Sequence, residues 1–455
     1  MGERDVYTMK FEIVETNEII ATQGGNLLLG AIMKKTELEK RVNSILGESF
    51  PPPQGIKTSD VIISYIGTLS QAQPEFEAIE QFRKDPYFKE TLGLDKVPSC
   101  STLRQRIDSL GETAKDETIE IVLKESCALL HNREVQISPC FKDYVPLDVD
   151  VSPFDNSKTK KEGIGFTYKK FMGYAPIFAY LGQEGYCVNV ELREGQEHCQ
   201  NKTPEFLESA INNAQMVTNA KILVRLDSGN DSRDNIALFQ KRNVDFIIKR
   251  NPRKESVEEH FHNAEKTGLQ IEDTREGKRI FVYETLKTPN NCKKAVRVVT
   301  FATERTITAS GQILLLPEYE IESYYTSLSV ETATSNEVQN LYHDHGTSEQ
   351  FHSEIKTDLD LERLPSGKFA TNAIVLALGI FSYNLLRLIG QESLKSDDFP
   401  PTKHKVSRRR VRTVIDRYIS LAVKMVSHAR KRFIKIWTCN PCLSSFRRIY
   451  RSFAV

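Results

Sequence analysis

Acidic residues are all but missing from the end of this chain. From Pro401 to Val455 there are 15 Lys or Arg and a single acid, Asp416. The net charge of +1 therefore divides into a tail near +14 and a body, residues 1–400, near −13. Such a tail points to a polyanion, most simply DNA. A cysteine framework is missing too: the eight cysteines are scattered between Cys100 and Cys442. Cys439-Asn440-Pro441-Cys442 has the spacing of half a zinc site, but no second pair accompanies it. Met1 to Phe11 is polar and charged rather than signal-like. Reduced thiols and a cytoplasmic, nucleoid-associated location are therefore expected. The most apolar run, Ala373 to Ile389, is interrupted by Ser382, Asn384 and Arg387. It reads as a buried helix, and no membrane partner is expected. Tryptophan is reduced to one residue, Trp437.

What is present is an ordinary globular composition, with 27% charged and 39% hydrophobic residues. At 455 residues the chain has room for two to four domains and a large core. Its first part is helical by period. Pro98-Ser99-Cys100-Ser101-Thr102 caps a basic helix that presents Arg104 and Arg106, as a recognition helix would to a DNA groove. An ordinary capped surface helix is the alternative. From Asp143 the pattern turns to strands. Gly163 to Tyr168 and Ile177 to Leu181 are read as the second and third. Residues 252–323 are strand-rich, and basic helices are expected to finish the chain, with Arg408, Arg409 and Arg410 as a cluster.

The densest chemistry lies in Tyr342-His343-Asp344-His345-Gly346-Thr347-Ser348-Glu349, continuing to Lys356. On one continuous helix, His345, Glu349 and Lys356 fall at roughly −60°, −20° and −40° from Tyr342. A phenol, an imidazole, a carboxylate and an ammonium thus share a stripe suited to phosphate and metal; the other reading is a solvated face. Upstream, Val145 to Ser152 alternates apolar and acidic residues, so Asp148 and Asp150 point to one strand face. Two carboxylates there are costly without a cation nearby. A second apolar strand, Lys221 to Leu226, ends in Asp227-Ser228-Gly229 before a helix. The order β-β-β-α-β-α-β is that of a ribonuclease-H-like sheet, in which the first and fourth strands, carrying Asp150 and Asp227, are neighbours.

These residues resemble the insertion-sequence transposases of the DDE superfamily, in the branch with a Tyr-x2-Arg-x3-Glu-x6-Lys signature. Tyr342-x2-His345-x3-Glu349-x6-Lys356 fits every spacing, with His345 where the branch has arginine. Leu147-Asp148-Val149-Asp150-Val151-Ser152 is similar to its first-aspartate strand, and Val224 to Gly229 to its second. Gly163 to Tyr174 resembles the aromatic and basic element that follows the first aspartate in one bacterial subgroup. The likeness spans roughly residues 20–392.

The resemblance implies a ribonuclease-H-like α/β core interrupted by an all-β insertion, with helical N-terminal and basic helical C-terminal parts. The divisions are residues 1–135 for a mainly helical DNA-binding region and 136–251 for the first part of the core. Residues 252–323 form the insertion, 324–392 the second part with the glutamate helix, and 393–455 the basic tail. Asp150, Asp227 and Glu349 are expected to hold two Mg²⁺ ions, with Mn²⁺ as a possible substitute, and Asp148 is the alternative first ligand. Tyr342, His345 and Lys356 would contact phosphate. Arg104, Arg106, Lys169, Lys170 and Arg408 to Arg410 would contact DNA. The expected partners are the terminal inverted repeats of the element, target DNA, and at least one further copy of the chain in a synaptic complex. If a base is flipped into the insertion, Tyr319, Tyr324 or Tyr325 would stack on it, since Trp437 is far away in sequence. Two alternatives remain: a catalytically inactive DNA-binding derivative, and a nuclease of the same fold that joins nothing.

Overall fold

The run expected to be a buried helix sets the position of the core. In the computed structural model, which describes residues 11, 13–46, 55–253, 255–271, 275–308, 310–398 and 406–454, it forms the 25-residue helix Phe369–Ser393. This helix is long and apolar enough to cross a membrane, yet its whole apolar window is buried inside the protein. A helix that is apolar all round needs cover on every side. The helices Thr58–Leu69, Cys100–Thr113 and Lys115–Asn132 and the strand Tyr186–Glu191 supply part of that cover. Two of its polar residues find partners inside the protein. Asn384 accepts from the Cys187 amide at 3.0 Å and donates to the Cys187 carbonyl at 2.7 Å, and the Arg387 guanidinium donates to the Arg409 carbonyl at 2.7 Å.

In chain order the strands are β1 (Ile19–Ala21), β2 (Tyr144–Val151), β3 (Phe154–Asp155), β4 (Gly165–Phe166), β5 (Met172–Tyr174), β6 (Ile177–Leu181), β7 (Tyr186–Glu191) and β8 (Lys221–Leu226). They continue with β9 (Asp245–Lys249), β10 (Leu269–Ile271), β11 (Lys278–Lys287), β12 (Val296–Ile307), β13 (Ile313–Thr326), β14 (Val423–His428) and β15 (Lys431–Ile436). Nine of them form one mixed sheet in the order β10-β11-β12-β13-β9-β8-β2-β6-β7. Its core is β7-β6-β2-β8-β9, with β2, β8 and β9 parallel and β6 antiparallel between β2 and β7. Taking β2, β6, β7, β8 and β9 as strands one to five, the order is 3-2-1-4-5. The first and fourth strands are neighbours, as a ribonuclease-H-like sheet requires.

Three expectations change. The second and third core strands are β6 and β7; residues 163–168 instead contribute β4 to a small sheet ordered β3-β5-β4. Glycines at 163 and 165 leave that stretch only two paired residues, Gly165 and Phe166. The insertion is not all-β, because helix Val257–Thr267 opens it. Only Phe261 and Ala264 of that helix are buried, against Phe281 and Ala302, and two apolar positions give little periodic signal. Nor is the insertion separate from the sheet: β13 runs past residue 323 and pairs with β9 through Tyr324, Tyr325 and Thr326.

The tail also departs from the helical expectation. β14 and β15 form a hairpin that pairs with β1 through Ile19, Ile20 and Ala21. Ala429 and Arg430, both at positive φ, make its two-residue turn. Ile434 and Ile436 alternate inward against the core while Lys435 faces out, a period of two that the surrounding charge obscures. Helix Leu443–Ala454 closes the chain.

Candidate active site

The strand register decides how the two aspartates of β2 differ. Asp148 lies directly opposite Arg225 on β8. One step beyond the last pair, Val149 and Leu226, Asp150 comes abreast of Asp227. One aspartate therefore meets a guanidinium and the other meets a carboxylate.

Asp148 is fully engaged. Arg225 donates from Nε at 2.6 Å and from Nη2 at 2.7 Å, and His345 Nδ1 lies 3.0 Å away. Burial pushes this carboxyl upward, but Arg225 and His345 outweigh it and hold it below the usual carboxylate range. Arg225 also donates to the Leu341 carbonyl at 2.7 Å, so the cluster ties β2 and β8 to the end of helix Ser335–His343.

Asp150 has a different environment. Its Oδ1 accepts from the Val151 amide at 2.7 Å, and its Oδ2 lies 3.3 Å from His352 Nε2. Burial raises this group too, but His352 and the more distant His345 bring it below the ordinary value. Asp227 caps the turn Ser228–Asn230, accepting from the Asn230 amide at 3.2 Å and its side chain at 2.8 Å. Burial and the charge of Asp150 raise its pKa, against the pull of Asn230. The two carboxylates are thus a like-charge pair whose repulsion Asn230 offsets only in part.

The expected single stripe is broken. Helix Ser335–His343 passes into a tight 3₁₀ turn at Asp344–Thr347, an α-helical segment Ser348–Ser353 and a wide π turn at Glu354–Asp358. His345 turns inward to Asp148, while Glu349 stays exposed. Tyr342 is half-buried, its ring 5.9 Å from His345, and burial with the charges of Asp227 and Asp150 raises its phenol. Lys356 Nζ donates to the Pro153 carbonyl at 2.6 Å and lies 5.6 Å from the Phe154 ring; burial lowers its pKa. Phe351 packs against Gly185, where any Cβ would meet its ring at 2.3 Å and where φ is +71°. Glycine there lets the β6–β7 turn seat the glutamate-bearing segment.

Two side chains of this site are not among the residues expected from the sequence. Tyr168 donates to the Val151 carbonyl at 3.0 Å, and its phenol is raised by burial and then by Asp150, Asp227, Cys199 and Glu349. It is the group that feels all three expected carboxylates. The turn it begins carries Lys169 and Lys170, both exposed, with Lys169 close enough to lower Lys356. His352, three residues after Glu349, is buried between Asp150 and Tyr180, whose hydroxyl lies 3.1 Å from Nδ1. Its i,i+3 spacing from Glu349 is the one hint the sequence contains.

The remaining arginines have partners of their own. Arg104 pairs with Glu77 at the surface at 2.5 Å. Arg106, expected to be exposed, is buried with Thr58 as a partner, because its helix turns that side to the core beside Leu103, Ile107 and Leu110. Arg408 pairs with Glu354 and Gln350, Arg409 donates to Ser393 Oγ at 2.5 Å, and Arg410 grips Asp358 at 2.7 and 2.9 Å. Their charge braces the π turn, where Glu354 also meets Arg387. The basic cluster expected on DNA is thus engaged within the protein, Arg409 buried, Arg408 largely so and Arg410 still exposed.

The family described as transposase DDE domain, group 1, matches residues 7–454. The chain belongs to this transposase family. No curated protein matches it. Among solved structures, this transposase is similar to the cryo-EM structure of the piggyBac transposase synaptic complex with hairpin DNA. The identity is 10% and the TM-score 0.38, over 80% of this chain and 74% of that one.

DDE transposases use divalent metal ions, and the donor chemistry here fits one. Asp150 and Asp227 are hard oxygen donors on neighbouring strands, and the charge of Asp150 raises the pKa of Asp227. Among the described residues, no three His, Cys, Asp or Glu side chains are gathered closely enough to hold a metal; Glu349 stands off from the aspartates.

Proposed function

We propose that this DDE transposase cuts the terminal inverted repeats of a mobile element and joins the freed 3′-hydroxyl ends to target DNA. The observation that carries the reading is the register pair Asp150–Asp227. The two like charges lie at the end of two parallel strands, Asp150 raising the pKa of Asp227, and both of them and Glu349 raise the phenol of Tyr168. Asp150, Asp227 and Glu349 would hold the divalent cations, two Mg²⁺ with Mn²⁺ as substitute. Bound cations would supply Lewis-acid stabilisation of the attacking and leaving oxygens.

The chain's own groups carry the rest. In the first step water attacks the phosphodiester, the bond from phosphorus to the 3′-oxygen breaks, and that oxygen leaves as a hydroxyl. In the second, this 3′-hydroxyl attacks a target phosphodiester, one phosphorus–oxygen bond forming as another breaks. Lys356, with Lys169 beside it, would offset phosphate charge, and the Tyr342 phenol would donate to a phosphate oxygen. Lys170 extends the same basic edge. His345 has its Nδ1 committed to Asp148, so only Nε2 would remain for the phosphate-contacting role that the resemblance gives to an arginine. Joining two ends would take at least two copies of the chain during reaction, and a cytoplasmic, nucleoid-associated location is part of the same proposal.

The exposed position of Glu349 favours one alternative, a derivative that binds DNA without cutting it. Strand cleavage of a plasmid carrying the DNA that flanks this gene, with wild type and Glu349→Gln side by side in Mg²⁺, separates the two. Cutting at a repeat boundary by wild type alone supports the transposase. Binding without cutting by both proteins, in Mg²⁺ and Mn²⁺, supports the derivative. Freed ends that never join target DNA would indicate a nuclease.

A further inference from the structure

The outward face of the β14–β15 hairpin is unused by the site described above. In β15, residues alternate between faces. Ile434 and Ile436 pack inward, and Lys431, Phe433 and Lys435 are exposed. The next outward position is Trp437, the only tryptophan of the chain, 72% exposed, with Phe433 at 45%. The edge strand therefore reads Lys-Phe-Lys-Trp along one face. Arg430 stands at the hairpin turn and is exposed, as is Arg447 on the neighbouring helix. Phe433, Lys435 and Arg447 also border a groove between the hairpin and that helix, floored by Ile434, Ile436 and Phe446 and edged by Glu90; Lys431 and Trp437 stand outside it. Lys424 on β14 pairs with Glu18, and Arg432 pairs with Glu90. Lys431, Lys435, Arg430 and Arg447 have no such carboxylate among the described residues. From Val406 to Ala454 the one acid is Asp416.

Large aromatic faces left in water beside uncompensated cations suit a ligand with π faces and negative charge. Nucleic acid has both. The exposed rings choose between its forms. In a duplex the base faces are covered by their neighbours. An aromatic side chain can stack on a base only where that base has left its stack, and basic grooves with aromatic platforms bind single strands.

We propose that this face binds a single DNA strand with unstacked bases, Phe433 and Trp437 serving as platforms and Lys431 and Lys435 meeting the phosphates. This rests on the reading of the chain as a DNA-processing transposase, but it needs neither metal nor cleavage.

Trp437 makes the test direct, because all tryptophan fluorescence comes from this one position. The full chain in EDTA is titrated with unlabelled oligothymidylate and, separately, with a duplex of equal length. Affinities are measured in parallel by anisotropy of labelled strands. Expected are saturable quenching by the single strand, tighter binding of it than of the duplex, and a loss of about 5- to 150-fold in single-strand affinity for Trp437→Ala. Trp437→Phe should restore much of that affinity. Lys431→Gln and Lys435→Gln should each reduce the salt slope by about 0.7. Unchanged affinity in Trp437→Ala, no change in fluorescence on binding, equal response to the duplex, or response only to anionic lipid vesicles would each overturn the proposal. The plasmid cleavage assay reports on the transposase reading separately, so cleavage by wild type with no single-strand response rejects this surface alone.

Discussion

His352 Nε2 lies 3.3 Å from Asp150 Oδ2, although the two residues are 202 positions apart in sequence. A carboxylate only accepts, so Nε2 donates. In the neutral ring, Nδ1 then accepts from the Tyr180 hydroxyl at 3.1 Å. The ring comes from the same segment as Glu349, so one side chain couples the orientation of Asp150 to the placement of that segment. Such supporting partners typically change metal affinity or activity by about 10- to 100-fold. His352→Ala should lower cleavage by that order and weaken Mn²⁺ binding measured by titration. His352→Gln, which keeps a donor, should recover part of both. Equal metal affinity in wild type and His352→Ala would remove the positioning role.

A divalent cation should stabilise the fold through the same pair. In EDTA, Asp227→Asn should raise the melting temperature, because it removes a like charge from beside Asp150 and leaves an amide able to cap the same turn. Adding Mg²⁺ should raise the melting temperature of wild type and not that of Asp227→Asn or Asp150→Asn. A metal response that survives both substitutions would place the cation elsewhere.

The Asp148–Arg225–His345 cluster should make stability depend on pH at both ends of the range. Burial opposes the charged imidazole of His345, but Asp148 and their hydrogen bond outweigh it and raise its pKa above the ordinary 6.5. A raised folded pKa contributes stability that is complete below the unfolded value and is lost as pH rises through the folded one. Asp148 is depressed, so its contribution is present above about 3.8 and is lost as pH falls through its lower folded value. The advantage of wild type over His345→Gln in urea melts should therefore shrink from mildly acidic to alkaline pH. Removing the buried guanidinium with Arg225→Ala should cost about 3–5 kcal/mol.

The braces of the π turn lead to the opposite of what the basic tail suggests. Arg408 is largely buried against Glu354, whereas Arg410 is half-exposed where it meets Asp358. Arg408→Gln should lower the melting temperature clearly, and Arg410→Gln should cost no more than about 1 kcal/mol. Neither should change the salt slope of duplex DNA binding, measured by anisotropy between low and moderate salt. A flattened slope with unchanged stability would return these arginines to the DNA.

Much of this arrangement was legible locally. The period-two run Leu147 to Val151 is enough to put Asp148 and Asp150 on one strand face, and the apolar strand before Asp227 marks its end, because pleat and turn chemistry act over a few residues. The internal polar residues of Phe369–Ser393 likewise marked a core helix. The misread parts are those where the local signal is weak or masked. Helix Val257–Thr267 has only two buried positions, and the alternation of β15 is hidden under its lysines and arginines.

What no local pattern carries is the identity of the neighbour across the sheet or across the chain. Asp148 and Asp150 are equivalent along the strand, and only the parallel register with β8 gives one an arginine and the other an aspartate. Arg408 to Arg410 read as a DNA contact because their partners, Glu354 and Asp358, lie about fifty residues away. His352 has no meaning until β2 and β6 bring Asp150 and Tyr180 to its two nitrogens. Charge and period are properties of a segment, and the sequence by itself determined those. Whether a charge is spent inside the protein or left for a ligand depends on which segments meet, and only the tertiary structure decided that.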